Sequence, residues 1–198
     1  PMARRKSLAF LDVGQGDCFV ADTKSGAIIF DGGSSSEDQV GRYRILPYMK
    51  YLGYQKIQIA VISHMDIDHY SGIKELLEMG KIKYLGLPEI PKDATMKKII
   101  GIAKKRGTTI FYLSRGRQIT TKDGSLKVLH PQKNSQMEKN AASLVMQGKI
   151  LGYRVLLTGD VEKEGEEELL SEELERADIL KAAHHGSKNS TSNEFLQK

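Results

Sequence analysis

The stretch that decides the fold runs from residue 57 to residue 69: Ile57-Gln-Ile-Ala-Val-Ile-Ser-His64-Met-Asp66-Ile-Asp68-His69. Its first seven residues are nearly all apolar and rich in β-branched side chains, as expected for a strand buried on both faces. Four potential metal ligands then follow within six residues. Carboxylates this close repel one another, so a folded protein tolerates them mainly beside a cation or in water. The stretch predicts a buried strand ending in a metal-binding loop, with a solvated acidic loop as the alternative.

Two further apolar runs also end in residues that bind metals. Residues 155–160 read Val-Leu-Leu-Thr-Gly-Asp160, and residues 179–185 read Ile-Leu-Lys-Ala-Ala-His184-His185. Taken alone, Asp160 is equally explained as a helix N-cap, and the two histidines as a surface pair. Because the tips of neighbouring strands converge at one edge of a sandwich, we expect one shared site. The predicted metal ligands are His64, Asp66, Asp68, His69, Asp160 and His184.

Two adjacent divalent ions would account for this number of ligands. Residues 64 and 66 are assigned mainly to one ion and residues 68 and 69 to the other, with Asp160 as a bridge and His184 as a further ligand. The catalytic candidates are Asp68 and His185. If the substrate is a phosphodiester, His185 is expected to contact the phosphate or to protonate the leaving oxygen. No small organic cofactor is expected.

Other polar residues near strand ends are candidates for supporting roles. Asp31 follows an apolar run and, like Asp12, is a candidate for orienting a ligand histidine through a hydrogen bond, although a plain turn explains Asp31 equally well. The segment from Asp12 to Asp17 (Asp-Val-Gly-Gln-Gly-Asp) lacks the third glycine of a nucleotide loop and leads into a strand, so it predicts a hairpin turn. Asn140 and Ser143 precede a strand and are candidates for contacting a phosphate or for forming a turn.

Basic residues dominate most of the chain. The net charge of the 198 residues is +5, but residues 161–198 hold ten acids and five bases, so the first 160 carry +10. A basic cluster would favour a polyanionic partner if its members share a face, while a solvated helix surface is the alternative. The predicted substrate-binding residues of this cluster are Lys104, Lys105, Arg106, Arg115 and Arg117.

Length and composition limit the class of protein. With 39% hydrophobic residues, the chain suits a single domain spanning residues 1–198. No apolar run approaches the roughly 18 residues of a membrane span, and the N-terminal residues lack the apolar core of a signal peptide. The single cysteine, Cys18, excludes an internal disulfide without choosing a compartment.

The hydrophobic pattern predicts antiparallel strands, then alternating strands and helices, then a second strand-rich half. This order predicts an α/β/β/α sandwich of two mixed sheets with outer helices. Strands are predicted at 7–13, 18–23, 27–30, 57–63, 82–87, 108–113, 118–121, 126–130, 143–147, 153–158 and 177–183. Helices are predicted at 41–52, 70–79, 96–105 and 164–174.

Together these motifs resemble the metallo-β-lactamase superfamily, whose His-x-His-x-Asp-His signature is present here as His64-x-Asp66-x-Asp68-His69. Having Asp66 in place of the second histidine is typical of the hydrolase domain of ComEC-type competence proteins, which the chain resembles over residues 8–196. The further motifs of this resemblance are Leu11-Asp-Val-Gly-Gln-Gly-Asp17, Asp31-Gly-Gly, Asn140-x-x-Ser143-Leu-Val, Thr158-Gly-Asp160 and His184-His-Gly-Ser187.

The resemblance implies a nuclease that degrades the non-transported strand during DNA uptake, with DNA, mainly single-stranded, as substrate and the membrane channel of a parent protein as partner. It implies a domain on the extracellular face of the membrane, soluble as this fragment. A cytoplasmic location is the alternative, because free-standing relatives exist. Relatives usually continue past the His-His-Gly-Ser motif, so the resemblance also implies a chain truncated at its C-terminus.

Replacing an imidazole by Asp66 enriches the site in oxygen ligands, which favours Mn²⁺, with Zn²⁺ as the alternative. The residues themselves are also compatible with two other functions. One is hydrolysis of an acyl, thioester or lactone substrate on the same fold. The other is a catalytically silent DNA-binding module.

Overall fold

The strands of this protein form two mixed sheets, as seen in a computed structural model that describes residues 6–137, 139–162, 164–172 and 174–198. The strands are β1 Ser7–Phe10, β2 Phe19–Thr23, β3 Gly26–Phe30, β4 Ile57–Val61, β5 Ile82–Pro88, β6 Thr109–Leu113, β7 Gln118–Thr121, β8 Gly124–His130, β9 Val145–Ile150, β10 Tyr153–Leu157 and β11 Ile179–Lys181. The α-helices are α1 Leu46–Tyr51, α2 Ile67–Glu78, α3 Ala94–Lys105, α4 Glu164–Leu170 and α5 Asn193–Gln197. Short helical turns cover Gly41–Ile45, Lys139–Ala142 and Ala183–Gly186.

The first sheet has the order β1-β2-β3-β4-β5-β6. Its first three strands pair antiparallel, and β3 to β6 are parallel, with α1, α2 and α3 on the crossover connections. Parallel strands point their carboxyl ends at the same edge, so the segments that follow β3, β4 and β5 begin side by side. This edge is called the site edge below.

The second sheet has the order β11-β10-β9-β8-β7, in which only β10 and β11 are parallel. Side chains such as Phe30, Val61 and Val155 fill the space between the two sheets. The other face of the first sheet is covered by α1 to α3, and that of the second by α4 and α5, where Leu169 and Phe195 are buried. The layers are therefore helices, sheet, sheet and helices, which confirms the predicted α/β/β/α sandwich.

Several element boundaries differ from the prediction for local reasons. Helix α2 begins at Ile67 instead of residue 70, after Asp66 in an extended conformation. The segment 41–52 is a π-helical turn followed by α1, because Pro47 lacks an amide hydrogen and is tolerated only in the first turn of an α-helix. The strand predicted at 177–183 shortens to β11, since the chain turns left-handed at His184 and His185.

Within the described residues, no helix has the length and apolar character that crossing a bilayer requires.

Candidate metal centre

Five chain segments meet at the site edge. They are the loop between β1 and β2, the loop after β3, the segment joining β4 to α2, the turn after β10 and the turn after β11. Backbone hydrogen bonds join the first three: Asp17 N–H donates to the carbonyl of Asp68 over 3.1 Å, and Gly32 N–H donates to that of His69 over 2.9 Å. A Cβ added at Gly33 would lie 2.6 Å from the Ile67 carbonyl oxygen, so only glycine permits this approach.

Four side chains from distant parts of the chain form the centre of the site. One ligand atom from each of Asp17, His69, Asp160 and His185 lies within 4.8 Å of the others. His69 Nε2 is 3.1 Å from Asp160 Oδ2, and His185 Nε2 is 3.6 Å from the same oxygen. The segments around residues 64–69, 160 and 185 therefore converge, as the three strand ends predict.

A buried carboxylate holds His69 from behind. Asp31 accepts hydrogen bonds from the main-chain N–H of Ser63 over 2.7 Å and from its hydroxyl over 2.8 Å, and Asp31 Oδ2 lies 3.0 Å from His69 Nδ1. The backbone of Asp31 is left-handed, at φ 57°, and its side chain points toward His69 of α2. Because Nδ1 of His69 is engaged by Asp31, Nε2 is directed to the centre of the site. The role predicted for Asp31 fits this geometry.

His64 is oriented in a similar way. Its Nδ1 lies 3.0 Å from the hydroxyl of Ser63, and its Nε2 is 3.6 Å from Asp66 Oδ2. The rings of His64 and His69 are 4.1 Å apart between centroids. Each Nε2 is buried and has no hydrogen-bond partner among the described residues. Two buried imidazole nitrogens thus face the same small volume.

Asp66 and Asp68 diverge after His64. Asp66 precedes α2 and its side chain is 51% exposed, whereas Asp68 lies in the first turn of the helix and is 18% exposed. Asp68 Oδ2 is 3.1 Å from His185 Nε2. This hydrogen bond raises the pKa of His185, against the opposing effect of partial burial.

The turn after β11 separates the two neighbouring histidines. His184 and His185 both have left-handed backbones, at φ 48° and 51°. His184 Nδ1 lies 3.0 Å from Glu162 Oε2, and its main-chain N–H donates to Asp160 Oδ1 over 3.1 Å. The structure therefore places the His185 ring in the central cluster and directs the His184 ring toward Glu162. The metal-ligand role given to His184 stays a prediction.

Lys181 is a buried cation within the site. Its side chain is 7% exposed, and its ammonium lies 2.5 Å from Asp17 Oδ2, 3.0 Å from Asp160 Oδ1 and 2.5 Å from the Gly159 carbonyl oxygen. Burial opposes its charge, but the carboxylates of Asp17 and Asp160 outweigh burial and raise the pKa of Lys181. The ammonium thus holds Asp17 and Asp160 together.

Opposing pKa shifts show how strongly the site concentrates charge. Burial would lower the pKa of His69, but Asp31 and Asp160 raise it to about 10. Burial would raise the pKa of Asp160, but its contacts with His69 and the charge of Lys181 hold it well below its usual range. The site therefore stabilises positive charge next to ionised carboxylates.

The turn that carries His185 is anchored by Glu166 of α4. This carboxylate is buried and accepts hydrogen bonds from the main-chain N–H groups of Thr191 over 2.6 Å and Ser192 over 3.0 Å. Thr191 in turn accepts a hydrogen bond from Ala183 N–H over 3.0 Å. Glu166 thereby fixes residues on both sides of the histidine turn.

Glu166→Gln is expected to destabilise the protein by about 2 kcal/mol, because an amide replaces a carboxylate that accepts two buried hydrogen bonds. Urea denaturation followed by circular dichroism measures this loss. Glu167→Gln, an exposed position on the same helix, is the matched control. Equal midpoints for the two variants would contradict the anchoring role of Glu166.

The other predicted polar residues lie around the site in different ways. Ser143 Oγ accepts a hydrogen bond from Asp160 N–H over 3.3 Å and therefore supports that turn. Asn140 Oδ1 is buried without a hydrogen-bond partner among the described residues. Asp12 is exposed and accepts a hydrogen bond from Gly14 N–H over 3.1 Å, as in a local turn. It makes no contact with a ligand histidine among the interactions described.

The predicted basic residues do not gather at the site edge. Lys104, Lys105 and Arg106 are at the carboxyl end of α3, which runs back from β5 to the start of β6, so about 17 Å of helix separates them from that edge. Arg115 forms ion pairs with Glu168 and Glu172 at 2.9 and 2.8 Å. Arg117 is exposed. Contact of these residues with nucleic acid stays a prediction.

A protein-family model described as the metallo-beta-lactamase superfamily matches residues 11–198. The chain belongs to the metallo-beta-lactamase superfamily.

Within this superfamily, the chain is similar to ComEC-type competence proteins, which confirms the resemblance inferred from the motifs. It is 34% identical to ComE operon protein 3 of Bacillus subtilis (strain 168) over 94% of this chain and 26% of that protein. It is 29% identical to competence protein ComA of Neisseria gonorrhoeae, over 93% and 24%, and 28% identical to recombination protein 2 of Haemophilus influenzae, over 94% and 22%. The chain spans about a quarter of the length of these relatives.

Solved structures of metallo-beta-lactamase proteins share the fold. The metallo-beta-lactamase fold protein YhfI from Bacillus subtilis is 17% identical with a TM-score of 0.54, covering 84% of this chain and 62% of that one. A class B3 di-zinc metallo-beta-lactamase from an Alaskan soil metagenome is 19% identical with a TM-score of 0.52, covering 82% and 65%.

The metallo-beta-lactamase fold normally binds divalent metal ions, and the residues here fit that group. The buried Nε2 atoms of His64 and His69 face carboxylates, and neither makes a hydrogen bond among the residues that the structure describes. His69 Nε2 and Asp160 Oδ2 are close but not aligned as a hydrogen bond. A buried nitrogen in this state is usually explained by a water or an ion.

Two residues of the site were missed in the sequence. The pattern of residues 12–17 predicts only a hairpin turn for Asp17, whose carboxylate follows Gly14 and Gly16 shortly before β2. The apolar pattern of residues 177–183 predicts only a strand position for Lys181, yet a lysine between apolar neighbours in a buried strand needs a carboxylate partner. That was the signal available for Lys181.

Proposed function

We propose that this domain hydrolyses phosphodiester bonds of DNA with the help of divalent metal ions, and that within its parent protein it degrades the strand that is not transported. The proposal is carried by two buried imidazole nitrogens, Nε2 of His64 and of His69, that face carboxylates and make no hydrogen bond within the described part of the chain. The chain is also similar to competence proteins over nearly its whole length. The parent's membrane channel is the proposed partner, and the extracellular face of the membrane is the proposed location.

The proposed ligands combine the predicted set with the residues that the fold brings beside it. His64 and Asp66 lie on one side of the site, and Asp68 lies on the other, with His69 and Asp160 between them. Asp17 joins the central group. When bound, divalent ions supply Lewis acidity toward a phosphoryl oxygen and lower the pKa of water.

The protein's own residues orient the ligands and handle the proton. Asp31 fixes the His69 ring so that Nε2 faces the site. Lys181 keeps the Asp17 and Asp160 carboxylates together. His185 Nε2 faces Asp68, whose contact raises the pKa of the imidazole, so this nitrogen is positioned to donate a proton to the leaving oxygen of the substrate.

Mn²⁺ is the proposed metal, because the carboxylates of Asp66, Asp68, Asp17 and Asp160 outnumber the imidazoles that favour Zn²⁺. We expect phosphodiester hydrolysis by metal-stripped protein to return with Mn²⁺ and to stay low with Zn²⁺. The rate of hydrolysis of bis(p-nitrophenyl) phosphate across a titration of each ion measures this preference. Recovery with Zn²⁺ alone would refute the oxygen-ligand argument.

Substrate class is tested by comparing reactions on one sample. Mn²⁺-loaded protein is expected to cleave bis(p-nitrophenyl) phosphate and single-stranded DNA, while a lactam, a lactone and a thioester stay intact. Asp68→Ala is expected to lose the phosphodiesterase activity. Turnover of the thioester, the lactone or the lactam without phosphodiester cleavage would replace the proposal by acyl hydrolysis. Salt-sensitive DNA binding without any cleavage would replace it by a silent binding module.

A further inference from the structure

A preformed cavity of about 610 Å³ adjoins the metal centre, and most of its lining residues are not proposed metal ligands. It lies between the end of β5, the start of α3 and the loop that follows β8, and it shares His64 and Asp66 with the site. Its volume falls within the roughly 300–1,000 Å³ of small-molecule pockets. A substrate group next to the reacting phosphate would reach this cavity first.

The walls of the cavity are held in place by Glu89. Its side chain accepts a hydrogen bond from Ser114 over 2.9 Å and pairs with Lys133 at 3.0 Å, while its carbonyl accepts one from Asn134 N–H over 2.7 Å. These contacts tie the loop after β8 to the segment that leads from β5 to α3. The cavity is therefore built by the fold and does not depend on a ligand to form it.

The lining chemistry indicates what kind of group the cavity takes. Most of the wall is formed by apolar side chains, namely Met65, Pro88, Ile90, Pro91, Met96 and Met137. Hydrogen-bonding side chains also line it: Asp66, Asp93, Thr95, Ser135 and Gln136. No lysine or arginine among the described residues lines it. Away from the metal centre, a phosphate in the cavity would face the Asp93 carboxylate without a compensating cation, which disfavours the polyanionic backbone there.

We infer that this cavity, called the base pocket, binds the nucleobase of the nucleotide next to the phosphodiester that the metal centre holds. A nucleobase is flat and uncharged, packs on apolar side chains through its faces and offers N–H groups to carboxylate and amide acceptors. An acyl chain, in contrast, offers no hydrogen-bonding groups to the polar side chains of the wall. The inference rests on the proposed function, because it needs a nucleic acid at the site.

Occupation of the pocket requires an unpaired base, since a base inside a duplex is stacked and paired. The domain is therefore expected to prefer single-stranded over double-stranded DNA. This preference comes from the pocket and needs no basic surface.

The test measures binding and requires no turnover. Fluorescence anisotropy compares oligothymidylate with an abasic oligomer of equal length and charge, with Ca²⁺ as the divalent ion. We expect the abasic oligomer to bind at least about fivefold more weakly, the loss typical of stacked bases. Met137→Ala is expected to weaken binding of oligothymidylate alone. Met79→Ala, a methionine of similar exposure at the far end of α2, is the control and is expected to change neither affinity.

A second measurement locates the base directly. Oligothymidylate carrying 4-thiothymine is irradiated on the wild-type protein, and the adducts are mapped by mass spectrometry. We expect adducts within residues 88–96 and 135–137. Equal affinity for both oligomers, or adducts confined to other faces, would overturn the inference. Hydrolysis of bis(p-nitrophenyl) phosphate, which carries no nucleobase, distinguishes this failure from a failure of the proposed function.

Discussion

Asp160→Asn is expected to lower the affinity for Mn²⁺ at least about 100-fold and to reduce phosphodiester hydrolysis about 1,000-fold, the rate equivalent of roughly 4 kcal/mol. Asp160 is the residue on which the site converges: its carboxylate contacts His69 Nε2 at 3.1 Å, Lys181 Nζ at 3.0 Å and His184 N–H at 3.1 Å. Asparagine keeps the shape and removes the charge. The loss therefore reports the electrostatic role of the carboxylate.

Isothermal titration with Mn²⁺ and the hydrolysis rate of bis(p-nitrophenyl) phosphate measure the two effects. The matched control is Asp178→Asn, an exposed aspartate just before β11, at the end of the strand remote from the site, where it pairs with Arg154 at 2.8 Å. That variant is expected to bind Mn²⁺ as the wild type does. If Asp160→Asn kept its Mn²⁺ affinity within threefold, Asp160 would not be a ligand.

Asp31→Asn is expected to reduce both stability and metal affinity, although Asp31 is assigned no direct contact with a metal. The buried carboxylate receives hydrogen bonds from Ser63 and lies 3.0 Å from His69 Nδ1. In the variant, the side-chain amide of asparagine would place an N–H donor against the main-chain N–H and the hydroxyl of Ser63, which are themselves donors. Breaking a buried charged network of this kind costs about 3 kcal/mol. Asparagine tolerates the left-handed backbone at this position, so backbone strain does not account for the loss.

Freeing the His69 ring is expected to weaken Mn²⁺ binding by about 10- to 100-fold, as found when the residues that orient metal ligands are changed. Urea unfolding of metal-free protein gives the stability term, and Mn²⁺ titration gives the binding term. Asp12→Asn is the control, because Asp12 is exposed and contacts Gly14 of its own loop. A stable Asp31→Asn protein with unchanged Mn²⁺ affinity would contradict the orienting role.

The fold and the convergence of the site were accessible from the sequence because both depend on strand ends. Apolar runs that terminate in His64, Asp160 or His184 predict strands, and parallel neighbours deliver their carboxyl ends to one edge. The sandwich follows from the order of these strands and the helices between them. Local patterns suffice for these features.

Contacts that depend on three-dimensional geometry could not be predicted from the sequence. Asp17 and Lys181 form an ion pair although more than 160 residues separate them in the chain. The local sequence of neither segment indicates this partner. The directions of the His184 and His185 rings depend on two consecutive left-handed residues, which the apolar strand pattern does not indicate. The early start of α2 likewise moves Asp68 and His69 from a loop into a helical turn, which sets their directions.

Charge patterns were the least informative part of the sequence. The basic residues form a cluster along the chain, but the fold distributes them over the far end of α3, an ion-paired network beside α4 and an exposed loop. Arg115 illustrates the reason, since its partners Glu168 and Glu172 belong to a segment more than 50 residues later. Charged residues that are close in sequence can therefore have different neighbours in the folded protein.

The central claim is that imidazoles and carboxylates from distant segments hold divalent ions at one site. An anomalous difference map from a crystal soaked in Mn²⁺ tests it most directly. The predicted result is density in contact with His69 Nε2 and Asp160, with His64 and Asp68 among the neighbouring ligands. Anomalous density only elsewhere on the molecule, or none at saturating Mn²⁺, would contradict the claim.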